Sequence, residues 1–91
     1  MASSEQKPPI SVERIQTGVR IEKRLLKVLK ALAEYKEMSL GDLLEGIALH
    51  AFEGKTQFSE ETLAPIASLK EIYGLDLGAG DSHRLADRGE A

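Results

Sequence analysis

The chain has 91 residues and a mass of 9.9 kDa, with 42% hydrophobic, 30% charged and only 4% aromatic residues. That describes one small domain, or a smaller one with tails, too apolar for a disordered chain and lacking the run of about 18 apolar residues that a membrane-spanning helix needs. There is no cysteine, which excludes a disulfide framework, a thiolate zinc site and a thiol nucleophile. The first thirty residues hold no apolar run of the kind a secretory leader carries, so a cytoplasmic protein is expected.

The net charge of −3 conceals an asymmetry. Residues 1–36 carry eight Lys/Arg against four Asp/Glu, a local +4, and residues 37–91 carry four against eleven, a local −7. Surface potential follows local rather than total charge. A basic front on an acidic scaffold suits an element that faces phosphate.

In chain order, residues 1–12 read as a flexible arm, polar at first and broken by Pro8 and Pro9. Residues 14–21 then alternate. Ile15, Thr17, Val19 and Ile21 fall on one face, and Arg14, Gln16, Gly18 and Arg20 on the other. A period of two with β-branched residues inward predicts a half-buried strand. No second segment of the chain could pair with it, so its partner is expected from another copy.

At Glu22 the period changes. Leu25, Val28, Leu29 and Leu32 recur at helical spacing, with Lys23, Arg24, Lys27 and Lys30 outward, predicting an amphipathic helix over residues 22–36. Ser39 is placed to cap a second helix, with Asp42 three residues on and Gly54 as its stop. Its apolar stripe is Leu40, Leu43, Leu44, Ile47 and Ala51, and Gly46 within it suggests a close helix crossing. A third helix is expected from Thr62 to Tyr73, which leaves Pro65 in its first turn and Gly74 as its end. Phe58 and Leu63 flank its start at the spacing of a hydrophobic staple. Beyond that, residues 78–91 are Gly-rich and polar and are expected to be disordered.

A strand and two helices span roughly 40 residues, at the lower limit for an independent core. Two copies pairing their strands antiparallel about a two-fold axis would satisfy the lone strand and cover both apolar stripes, so an intertwined homodimer is expected. Its ribbon would present Gln16, Gly18 and Arg20 from each chain on one face. A two-stranded ribbon fits the major groove of B-DNA, where Arg pairs with guanine and Gln with adenine. The plain alternative is a solvated strand face that is polar only because it meets water.

The order strand, helix, helix from Arg14 to Gly54 resembles the ribbon-helix-helix repressors. The resemblance lies in Gly-Val-Arg-Ile-Glu-Lys-Arg-Leu-Leu-Lys-Val-Leu at 18–29 and Met-Ser-Leu-Gly-Asp-Leu-Leu-Glu-Gly-Ile-Ala at 38–48. It implies a mainly α fold: an intertwined ribbon-helix-helix homodimer over residues 13–54, with an extra C-terminal helix in 55–77. It also implies a DNA-binding transcriptional regulator, a repressor, acting on a palindromic site, with two dimers able to occupy adjacent half-sites. Base reading would fall on Gln16, Gly18 and Arg20. A DNA phosphate would be anchored at the start of the second helix by Ser39, Leu40 and Gly41, where free backbone N–H groups favour an anion. Lys23 and Arg24, just past the strand, are further phosphate candidates.

The other polar residues read as structural. His50 with Glu45 and Glu53 is a weak metal signal, His83 sits in the tail, and no nucleophile and base can be paired, so neither a metal, a cofactor nor an enzymatic activity is expected. Tyr35 and Tyr73 read as packing residues at helix ends. The helix in 56–77 carries Leu63, Ile66, Ala67, Leu69, Ile72 and Tyr73, enough to dock on its own core or to hold a partner protein, as in antitoxin-like proteins of the same layout.

Overall fold

The computed structural model describes residues 7–88. Within them the chain forms three α-helices: α1 (Lys23–Tyr35), α2 (Leu40–Phe52) and α3 (Glu60–Tyr73), followed by a single 3₁₀ turn at Ala79–Asp81. The expected arm 1–12 and tail 78–91 lie partly outside the described residues.

α1 is the centre of the fold. Its Val28, Leu32 and Ala33 are buried, and with Leu43 of α2 and Leu75 just past α3 they make up the buried apolar core. Leu29, Met38, Ile47, Phe58, Ile66 and Leu69 pack around it, half-buried. Both α2 and α3 pack on α1, and no backbone interface joins α2 to α3. Of the two roles open to α3, it therefore takes the first, docking on its own chain through Ile66 and Leu69, while Leu63 and Ile72 face outward.

Local chemistry accounts for the helix ends. Glu22 caps α1, its Oε1 accepting the Leu25 N–H at 2.8 Å, and Ser39 caps α2, its Oγ accepting the Asp42 N–H at 3.0 Å. α1 closes through paired bonds, Glu37 N–H to the Glu34 carbonyl (3.0 Å) and Met38 N–H to the Ala33 carbonyl (2.9 Å). This closure sets the intervening residue left-handed, and Glu37 sits there at φ 59°. Gly54 and Gly74 hold the equivalent places after α2 and α3, at φ 71° and 68°. A side chain in that conformation costs about 1 kcal/mol relative to glycine. Glu37→Gly is therefore expected to raise stability by about 1 kcal/mol in urea unfolding followed by circular dichroism.

The predicted strand is not formed. Among the described residues there is no strand at all, and residues 7–20 are exposed throughout. The ribbon-helix-helix arrangement, with its strand paired across an intertwined dimer, is thereby overturned: the molecule is an all-helical, three-helix fold. The physical reason lies in the backbone. Alternation places side chains on two faces but supplies no ladder, and the chain has no second segment to exchange N–H and C=O bonds with. Ile15 and Val19, expected inward, are 80% and 73% exposed.

Two smaller expectations also change. α3 begins at Glu60, with Ser59 before it, so Pro65 is the sixth helical residue and lies beyond the first turn. The Glu61 carbonyl, which an N–H at 65 would bond, is left without that donor, and Glu61 itself is exposed. Gly46 faces no crossing helix. A methyl placed on it would meet Gln57 Nε2 at 2.7 Å, so the glycine makes room for an incoming loop side chain.

Candidate nucleic-acid interface at the start of α1

α1 carries an unusual charge order. Its first turn holds Lys23 and no acidic residue, although the positive end of the helix dipole disfavours cations there. Lys23, Lys27 and Lys30 follow at i, i+4 and i+7, which at 100° per residue keeps them on one narrow face. All three are exposed, and none forms an ion pair among the described residues.

Beside this stripe lies an open cleft of about 1000 Å³. One wall is Arg20 to Arg24 with Lys27; the other is Ile72 and Tyr73 of α3 with Leu85 to Arg88. Five cations (Arg20, Lys23, Arg24, Lys27, Arg88) meet two carboxylates (Glu22, Asp87) around it. The excess positive charge and the dipole of α1 reinforce one another at this end.

The arginines are differently engaged. Arg24 is half-buried: its Nε donates to Glu22 Oε2 at 2.9 Å, and its Nη1 to the Gly74 carbonyl and to Asp76 Oδ1, both at 3.0 Å. It ties the start of α1 to the end of α3, a structural task in place of a free phosphate clamp. Arg20 is exposed and pairs with Asp87. Arg14 makes a two-pronged pair with Glu45 of α2, 2.8 Å on each prong, which holds the N-terminal segment against that helix.

Glu22 anchors this corner. The Leu25 N–H, first, and the Arg24 guanidinium hold its carboxyl below the ordinary glutamate value of 4.5. A lowered carboxyl value stabilises the fold above the unfolded value and loses that contribution as pH falls through the folded one. Thermal melts are accordingly expected to drop as pH is taken below about 4.5, and less steeply in Glu22→Gln than in the unaltered protein.

The expected site residues are dispersed. Gln16 and Gly18 are exposed in the extended segment, and Gly18 has open space around it. Lys23 lies at the cleft. Ser39, Leu40 and Gly41 stand past the far end of α1, a helix of 13 residues and so about 20 Å long. The two phosphate sets are not brought together, and Asp42 adds a carboxylate to the first turn of α2. Sequence reasoning gave no role to Lys27, Lys30 and Arg88. The lysine stripe was readable from its spacing, whereas Arg88 reaches the cleft only through the fold.

His50 Nδ1 lies 2.7 Å from the Gly46 carbonyl one turn back. Among the described residues no cluster of His, Asp and Glu is arranged to hold a metal ion, and no helix is long and apolar enough to cross a membrane. Tyr35 is 63% exposed and does not pack, unlike its expected role, while Tyr73 edges the cleft. No family model, curated protein or solved structure matches the chain.

Proposed function

We propose that this protein is a sequence-specific DNA-binding regulator of transcription, acting as a repressor, which grips the phosphate backbone at the basic end of α1. The observation that carries this reading is the exposed stripe Lys23, Lys27, Lys30, unpaired among the described residues, beside the cationic cleft. Lysines on one face at helical spacing follow a polyanion, and backbone contact supplies most of the affinity for duplex DNA. The neighbouring exposed segment offers Gln16 and Arg20 to base edges.

The test is a fluorescence anisotropy titration of labelled duplex DNA of random sequence at low and moderate salt. Binding is expected to weaken with salt by about 0.9 logarithmic units per decade for each phosphate contact, so by about 2.7 units per decade for the three lysines of the stripe. Arg20→Ala is expected to relax base preference by about 1–3 kcal/mol. Absence of binding below about 10 µM at ~50 mM salt, weaker than ordinary non-specific association, sinks the reading.

A homodimer accompanies this proposal. Phe52 of α2 is 83% exposed, with Leu49 beside it, and apolar side chains displayed in this way mark a surface for another protein. A partner on this face or on α3 is the second reading. Sedimentation at micromolar concentration separates the two: a species of twice the chain mass supports the dimer, and a monomer leaves the apolar face to a different protein.

A further inference from the structure

Past α3 the chain lies beside α1. Leu75 is buried, Ala79–Asp81 form the 3₁₀ turn, and Leu85 to Arg88 complete the cleft wall. Leu85, 52% exposed, also lines an adjoining apolar groove with Leu25 and Leu77. Two carboxylates of this segment meet two of the three arginines that border the cleft: Asp76 on Arg24 and Asp87 on Arg20.

We infer that residues 76–88 act as an internal competitor for DNA, with Asp87 occupying the Arg20 guanidinium until a base edge displaces it. This rests on the DNA-binding reading and concerns the regulation of that same cleft. A carboxylate and the O6/N7 edge of guanine both offer paired acceptors to a guanidinium, so one arginine cannot serve both fully at once. The two pairs differ in how readily they open. Arg24 is half-buried and held by three groups, so its pair with Asp76 persists. Arg20 and Asp87 are 85% and 68% exposed, and a pair so open to solvent separates at little cost. The chain running on from buried Leu75 keeps Asp87 close on release, which gives it a high effective concentration against an incoming strand. The acidic rear of the chain thus sets the affinity of its basic front.

The experiment compares the unaltered chain, Asp87→Asn and Glu60→Gln by anisotropy on labelled random duplex. Glu60→Gln makes the same charge change at the exposed start of α3 and controls for net charge. Asp87→Asn is expected to bind about threefold tighter than Glu60→Gln at ~50 mM salt, the order that release of one exposed pair predicts. In an Arg20→Ala background that gain should vanish, because the two residues act as one coupled pair. Equal binding by Asp87→Asn and Glu60→Gln, or a gain that survives Arg20→Ala, overturns the competitor while leaving DNA binding intact. If the unaltered chain and both variants all fail to bind, the DNA reading falls and the competitor with it.

Discussion

Leu43→Ala is expected to abolish most of the cooperative unfolding transition at 25 °C, as read by circular dichroism in urea. Leu43 is 0% exposed and is the largest side chain wholly removed from solvent. It sits against Leu32 and Ala33 and is the only buried residue that α2 contributes. Truncating a buried leucine costs about 2–5 kcal/mol, through lost transfer energy and the cavity left behind. A domain of this length holds about 5–14 kcal/mol in total, and one with five buried apolar residues belongs at the low end. Leu43→Met, which nearly conserves volume, should cost less than about 1.5 kcal/mol. A transition in Leu43→Ala that kept its midpoint would mean that α2 adds little to the core.

The second large effect concerns binding without loss of fold. The combined variant Lys23→Ala, Lys27→Ala, Lys30→Ala is expected to lose about a thousandfold in duplex affinity at ~50 mM salt, of order tenfold per contact, and to flatten the salt slope by about 3. Stability should move the other way. All three lysines are exposed and unpaired among the described residues. Alanine is the better helix former, and removing Lys23 relieves its repulsion by the helix dipole. A thermal midpoint that holds or rises while DNA affinity collapses assigns the lysines to the ligand. Unchanged affinity together with an unchanged slope would remove α1 from the interface.

What could be read from the sequence divides along the range of the interactions. α2 was legible at both ends because Ser39 and Gly54 act on their immediate neighbours. α1 was legible to within a residue, although its cap is Glu22, a residue type that seldom signals one. α3 starts two residues earlier than expected because Pro65, taken as confined to the first turn, sits deeper, where it frees the carbonyl of exposed Glu61. The strand at 14–21 was misread for another reason. Alternation describes the side chains, whereas a strand exists only if its backbone finds a neighbour, and no residue pattern within 14–21 reports that. The cleft was half legible. Its lysines follow a local period, but Arg14 with Glu45 and Arg20 with Asp87 are pairs separated by 31 and 67 positions, which only the folded chain joins.

The arrangement of α2 and α3 on opposite claims to α1 also shapes how the molecule breathes. α2 is joined to the rest by one helix face, by the connections 36–39 and 53–59, by Gln57 against Gly46, and by the exposed Arg14–Glu45 pair. α1 and α3 are further bound by Arg24 and by Leu75 between them. Partial opening should therefore detach α2 as a unit at a free energy below that of global unfolding, with α1 and α3 still together. Its amide protons would then exchange with solvent as a group, ahead of those of α1. The basic cleft, built entirely on the α1–α3 side, would outlast that excursion.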